Sequence, residues 1–362
     1  MIVVVKVGTS SITTDGGRLN AAAMTKLMTE IATVRAQGHQ VVLVSSAAIA
    51  AGMAHLELAE RPKEFSKLQA LSAVGQIQLM KAYDSLAHDA GMRIGQVLVA
   101  PPDFFDRGRY LRARSCIEEQ LALGVLPVVN ENDAVADDAI RFGDNDRIAS
   151  LVAHLIRADL LVLLTDTEGV LTADPREDES ASLIEEIATI DKELEALAGG
   201  SATTMSQGGM ASKLSAAKIA SWSGVESVIA AAHRENVLVD AINAEVRVGT
   251  RIRAREAQMT ARKLWIAFAL GNAGVVTVDD GARQALIRGG SSLLPIGISA
   301  VSGAFVAGDA VEIAGTDGVT FAKGLTQMAA AEVSDAAGKH SDEIEAVTKI
   351  TVHRDDLVLL PS

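Results

Sequence analysis

Apolar residues along this chain alternate between two spacings. Ile2-Val3-Val4-Val5 is an unbroken, largely β-branched run of the kind a buried strand requires, and it leads into Lys6-Val7-Gly8-Thr9-Ser10-Ser11. Next, Met24, Leu27, Met28, Ile31 and Val34 recur at helical spacing, with Asn20 placed to cap the helix and Gly38 to stop it. A strand over Gln40 to Ser45 follows. The same alternation predicts helices over Ser66 to His88, Asp106 to Leu123 and Arg147 to Arg157, and from Ala211 to Ser223. Strands are predicted at Arg93 to Val99, Val125 to Val129, Asp159 to Leu164 and Val225 to Ala231. The β-α-β order implies a mostly parallel sheet sandwiched by helices, joined by right-handed crossovers.

The pattern changes after Val248-Gly249-Thr250. Arg251, Arg253, Arg255, Arg262 and Lys263 are scattered through a stretch without strand signal, and short β-type runs then return: Val275 to Val278, Phe305 with Val306, Ala310 to Ile313, Val319 to Ala322 and Val347 to Val352. We expect a domain over 1–254, a linker over 255–272 and a small β-rich domain over 273–362 with one or two helices.

Composition agrees with two globular domains: 362 residues, 49% hydrophobic and 22% charged. A net charge of −13 and a pI near 5.0 argue against nucleic acid or an anionic membrane as a partner of the whole surface. Between Val275 and Lys349 acids outnumber bases, so no tight RNA binding is expected of the C-terminal domain either. The single Cys116 forms no internal disulfide, and no Cys or His pair has metal-ligand spacing. Runs such as Leu160 to Leu164 are too short to span a bilayer, and the N-terminus shows no basic flank or cleavage pattern. A cytoplasmic chain is expected.

Polar residues recur at successive strand exits: Lys6, Ser46, Asn130 with Asp133, and Thr165 with Asp166. In a parallel sheet those exits share one crevice. Gly8 lets a backbone approach an anion, Thr9 and Ser10 offer donors, and the Gly-rich stretch 198–210 opens a helix containing Lys213. The dinucleotide fingerprint is absent because no two glycines are separated by a single residue. A Walker loop is absent because Val333 stands where Gly338-Lys339 needs a Gly.

Two separated lysines, a Gly-rich loop and several Asp, Asn and Ser residues suit phosphoryl transfer, in which the protein supplies positioning and charge stabilisation. No histidine lies in a strand-exit cluster to serve as general base. A carboxylate acceptor needs none, since with a reference pKa of about 4 it is already ionised at pH 7. Taken singly, Asp144 and Asp146 also fit helix N-terminal charges, Asn130 and Asp133 turn formers, and Gly208-Gly209 a hinge.

Lys6-Val7-Gly8-Thr9-Ser10, Ala48 to Gly52, Asn130-Glu131-Asn132-Asp133-Ala134-Val135, Gly143-Asp144-Asn145-Asp146, Leu164-Thr165-Asp166, Thr172 to Arg176 and Gly208-Gly209-Met210 together resemble the amino-acid-kinase family. Within it they are most similar to the branch that phosphorylates glutamate in proline biosynthesis. Arg288-Gly289-Gly290-Ser291-Ser292-Leu293-Leu294-Pro295 and Val352-His353-Arg354-Asp355-Asp356 are similar to the PUA domain such kinases carry.

The resemblance implies that Lys6 and Lys213 stabilise the transferring phosphoryl group, that Asp146 holds them and that Asp144 assists. It implies glutamate contacts from Ser46, Asp133, Asn145 and Asn130. ATP, with Mg2+ as co-substrate, would meet Lys6, Gly8, Thr9, Thr165 and Asp166, together with Gln207, Gly208, Gly209, Met210, Ala211, Ser212 and Lys213. A homo-oligomer, dimer or tetramer, with proline as feedback inhibitor is likewise implied. Two positions depart from the family: Ala47 stands where Gly is usual, and Gln207 where Thr is usual. A related kinase for another carboxylate, an RNA-binding protein and a catalytically silent scaffold remain the alternatives.

Overall fold

The computed structural model describes residues 1–104, 106–135, 145–174, 178, 180–199, 209–256, 259–343 and 348–360. The chain forms two compact units, Met1–Gln258 and Met259–Ser362.

An eight-stranded sheet organises the first unit. Its strands are β1 (Ile2–Val7), β2 (Gln40–Ser45), β3 (Ile94–Val99), β4 (Leu126–Glu131), β5 (Leu160–Thr165), β6 (Glu186–Ile187), β7 (Glu226–Ala231) and β8 (Thr250–Ile252), in the order β3-β4-β2-β1-β5-β7-β8-β6. From β3 across to β7 all neighbours are parallel, and β8 is antiparallel to β7. The helices are α1 (Thr9–Ile12), α2 (Ala21–Ala36), α3 (Ala48–His55), α4 (Phe65–Asp89), α5 (Arg107–Ala122), α6 (Asn145–Leu155), α7 (Lys192–Gly199), α8 (Met210–Trp222) and α9 (Val237–Ile242). At the N-terminus of α2, Asn20 Oδ1 accepts from the Ala23 amide, the cap its sequence suggests.

Two helical layers flank β1. Val3, Val5 and Val7 are buried with residues of α2, α4 and α9, and full burial of each is worth roughly 1.5–3 kcal/mol. Because alternate side chains of a strand point to opposite faces, Val4 and Lys6 point into the other layer, where α6 lies against β1 and packs on α8. A strand buried on both faces needs the continuous apolar run that Ile2 to Val5 supplies, and Lys6 is the charged exception.

β4 extends two residues beyond the predicted strand. Asn130 and Glu131 still pair with Leu98 and Val99 of β3, so Asn130 projects from sheet rather than from a loop. α3, which no apolar periodicity announced, crosses α4 at backbone contact. A Cβ on Gly52 would stand 2.1 Å from the Leu71 carbonyl oxygen, and one on Gly75 1.7 Å from that of Ala48. Both glycines serve packing, not flexibility.

Ala47 precedes α3 with φ 79° and ψ 8°, the left-handed region that costs an alanine roughly 1–2 kcal/mol. The chain keeps the turn and accepts the strain. Ala47→Gly is therefore expected to stabilise the protein by about 1 kcal/mol net of the glycine's greater unfolded-state freedom, raising Tm by about 2–4 °C. A lower Tm in thermal denaturation would contradict this.

In the second unit β9 (Gly274–Val278), β10 (Ile298–Gly303), β11 (Ala310–Gly315), β12 (Thr320–Thr326) and β13 (Val352–Leu359) form a sheet of order β10-β9-β11-β12-β13. Its core includes Val276, Ile313, Phe321, Met328 and Val352. Two sequence expectations are corrected. Phe305 and Val306 are not a strand: Phe305 plugs the core from a connection, and the strand is the mostly exposed Ile298–Gly303. The last strand begins at Val352 instead of ending there, and residues 344–347 lie outside the described set. Within the stretch read as linker, helix α10 (Ala261–Leu264) continues into a π turn over Trp265–Ala269, and Ile266 and Ala267 are buried with Val358.

Candidate active site

Three charged side chains meet between the sheet and the α6–α8 layer. Lys6 reaches Asp146 Oδ1 at 2.5 Å, and Lys213 Nζ lies 3.3 Å from Asp146 Oδ2. Each is almost wholly buried, at 4%, 1% and 5% exposed for Lys6, Asp146 and Lys213. Their positions follow from local structure. Lys6 sits one residue before the end of β1, Asp146 is the second residue of α6, and Lys213 lies in the first turn of α8. Ser212 Oγ adds a donor to Asp146 Oδ2 at 2.6 Å.

Burial alone would raise the Asp146 pKa. The charges of Lys6 and Lys213, with hydrogen bonds from Lys6 and Ser212, more than offset it and hold the carboxyl below its usual range. Asp146 lies between two ammonium groups, and the N-termini of α6 and α8 add favourable dipoles for an anion.

A second group stands at the exits of β2 and β4. Asn145 Nδ2 donates to Asn130 Oδ1 at 2.9 Å and to Ser46 Oγ at 3.2 Å, while the Glu131 amide donates to Asn130 Oδ1 at 2.8 Å. Asn130 Nδ2 in turn donates to Gln76 Oε1 of α4 at 2.9 Å, and Gln76 Nε2 to Gln96 Oε1 of β3 at 3.1 Å. Asp133 is buried, and its Oδ1 has no hydrogen-bond partner among the described residues. Burial pushes its pKa up to about 6, with the positive charge of Arg61 opposing. A buried carboxylate with an unoccupied oxygen suits a cationic ligand group.

Thr165 Oγ1 donates to Asp166 Oδ1 at 3.0 Å, and both residues line a cavity of about 470 Å³ together with Ser10, Ser11, Lys26 and His233. This lies within the size range of small-molecule sites. Gly8 has an ordinary φ of −79°, and a Cβ there would meet only Lys6 Nζ, at 3.7 Å. Protein packing does not require a glycine at this position. Thr9 opens α1 directly after Gly8, and Gly209 precedes Met210 and Ala211 at the start of α8.

Asp144, Gln207 and Gly208 lie outside the described residues. Lys6, Asp146, Ser212 and Lys213 are brought together directly, as are Ser46, Asn130 and Asn145. Gln76 and Arg61 escaped the sequence reading. Gln76 is one amide in an otherwise apolar stripe with Leu68, Leu71 and Leu79, and Arg61 sits in a polar loop where a lone arginine carries no pattern. Among the described residues no group of three or more His, Cys, Asp and Glu is placed to hold a metal ion, and no helix is long and apolar enough to cross a membrane.

Residues 1–231 match the amino acid kinase family and residues 274–348 the PUA domain. The chain is 47% identical over 362 residues to a protein of Burkholderia multivorans named Glutamate 5-kinase, covering 99% of this chain and 97% of that one. A Burkholderia vietnamiensis protein of the same name is 46% identical over the same coverage. Among solved structures, carbamate kinase from Giardia lamblia bound to AMP-PNP aligns with a TM-score of 0.52 at 17% identity, over 70% of this chain and 98% of that one. Isopentenyl phosphate kinase from T. acidophilum gives 0.50 at 18%, over 70% and 100%. These two likenesses concern the fold of the first unit.

Proposed function

The chain belongs to the amino acid kinase family, and from that premise we propose that it transfers the γ-phosphoryl group of MgATP to the side-chain carboxylate of L-glutamate, giving L-glutamyl 5-phosphate. The observation that carries this reading is the buried Lys6–Asp146–Lys213 cluster. Two anions must approach for the reaction, and the cluster holds two ammonium groups in place to stabilise them.

Lys6 and Lys213 neutralise the phosphoryl oxygens as charge moves toward the leaving ADP. Asp146 keeps the two ammonium groups apart and aimed, with Ser212 holding its second oxygen. Gly8 and Thr9, together with Met210 and Ala211 at the start of α8, approach the phosphate chain, and the absent side chain at Gly8 leaves that space to the ligand. Thr165, the last residue of β5, and Asp166 join the nucleotide site through the family resemblance. Mg2+ arrives as part of the nucleotide co-substrate. Asp144, Gln207 and Gly208 belong to the same proposal through the family resemblance.

At the other end Ser46, Asn130 and Asn145 present an ordered polar wall for glutamate, and Asp133 pairs with its ammonium group. The acceptor carboxylate is ionised without a base, so positioning in line with the γ-phosphorus is what the site has to provide. As a member of this family the protein is expected to assemble as a homo-oligomer and to be inhibited by proline, which direct measurement of mass and of inhibition will test.

The test of the reaction is trapping. With MgATP and hydroxylamine, glutamate-dependent hydroxamate should accumulate with equimolar ADP; hydroxamate from aspartate or acetylglutamate but not from glutamate would reassign the acceptor.

Asp133 supplies a further expectation. Because its pKa lies at about 6 in the free protein, protonation below that value removes the negative partner of the ammonium group. KM for glutamate should rise by about tenfold per pH unit below about pH 6, until glutamate's own side chain begins to titrate near about 4.3. Asp133→Asn should show a high, flat KM over the same range; an unchanged slope in that variant would remove Asp133 from the site.

A further inference from the structure

We propose that Gln76 is a positioning residue for the glutamate site, setting the direction of the hydrogen-bond chain that ends at Ser46. This rests on the assignment of Ser46, Asn130 and Asn145 to the acceptor. The chain has one polarity. Gln76 Nε2 donates outward to Gln96, so its Oε1 faces Asn130 and accepts from Asn130 Nδ2. Asn130 is thereby required to present Oδ1 to Asn145 Nδ2 and to the Glu131 amide. Asn145 Nδ2 then donates to Ser46 Oγ, which leaves the serine O–H to donate to an anion.

Burial gives the order its force. Asn130 and Asn145 are 1% and 3% exposed, so an amide turned the wrong way leaves a donor against a donor with no water to relieve it. Gln76 is carried to Asn130 by the backbone-contact crossing of α3 and α4, since the adjacent Gly75 packs on Ala48. The helix that follows Ser46 and the helix that carries Gln76 are thus fixed to one another at both ends of the chain of amides.

Steady-state kinetics on the full-length protein test the assignment, reading KM for glutamate, KM for ATP and Tm together. Gln76→Met keeps length but removes both hydrogen bonds. It should raise KM for glutamate about tenfold, leave KM for ATP within about twofold and lower kcat less than it raises KM, as expected for loss of one buried hydrogen bond. Gln76→Glu retains an oxygen acceptor for Asn130 and should return KM for glutamate to within about threefold of wild type.

Unchanged KM for glutamate in Gln76→Met, a parallel rise in both KM values, or a Gln76→Glu variant as impaired as Gln76→Met would each overturn the proposal. Gln96 is exposed and gives a variant independent of core packing. Gln96→Leu frees the Gln76 amide to turn over and should raise KM for glutamate about two- to fourfold. Should Gln76→Met fail to fold, an unchanged KM in Gln96→Leu is the overturning result. The wild-type hydroxamate assay is run alongside: failure there with glutamate concerns the acceptor, whereas a flat response to the Gln76 and Gln96 variants concerns positioning.

Discussion

Replacing Lys213 by alanine is expected to lower kcat for hydroxamate formation by about 10²–10³-fold, with a smaller change in KM for either substrate. Lys213 is almost fully buried and is held by Asp146 on α6, so its ammonium group is pre-oriented and stabilises charge with little reorganisation. Removing it takes away one of the two ammonium groups that flank Asp146. Lys6→Ala should act similarly. The double variant should fall little below either single one, because the residues act as a unit through one carboxylate. Rapid-quench measurement of the chemical step separates this from slowed product release. A Lys213→Ala enzyme that retains the wild-type chemical rate would move the phosphoryl site elsewhere.

The second large effect concerns stability. Asp146→Asn places two lysines beside a neutral amide in a site from which water is excluded. Breaking a buried ionic cluster in this way costs about 3–5 kcal/mol. Wild type should carry the corresponding pH signature. The folded pKa of Asp146 lies below its unfolded value, so its contribution is fully present above the ordinary carboxylate range near about 3.9 and is lost as pH falls through the lower folded value. Asp146→Asn should lose that segment of the Tm-versus-pH curve, which lies below the ordinary carboxylate value of about 3.9. MgATP brings negative charge to the two lysines, and its stabilisation of Asp146→Asn should exceed its stabilisation of wild type. Equal ligand-induced shifts would indicate that the nucleotide phosphates do not reach this cluster.

The parts of the fold legible in the sequence are those where burial is uniform. Val3 to Val5 and Leu160 to Leu164 have no polar alternative to a two-sided core, and helix α2 is bounded by a cap and a glycine that the structure uses as such. The errors fall where tertiary contacts override local pattern. Asn130 and Glu131 resemble a loop but remain paired to β3, and Phe305 looks like strand but fills a core from a connection.

In the candidate site, residues with unusual charge or repeated motif were visible: Lys6, Asp146, Lys213, Ser46, Asn130, Asn145. Gln76 was not, because its partners lie 20 and 54 residues away and nothing local distinguishes a buried glutamine with those contacts from a solvated one. The strain at Ala47 was half visible. A methyl where glycine is usual signalled a conflict, but only the backbone angles show that the chain resolved it by holding the left-handed turn.

The central place of β1 has a consequence for biogenesis. One edge of β1 pairs with β2, which emerges soon after it, but the other pairs with β5, and the contact between Ile2 and Asp159 spans 157 residues. At ribosomal rates of about 5–20 residues per second, an apolar strand edge therefore waits roughly 8–30 s for its second neighbour. During that interval the nascent chain presents an unpaired template to other chains. Slower translation or a reduced chaperone supply between β2 and β5 should thus lower the soluble yield of this protein.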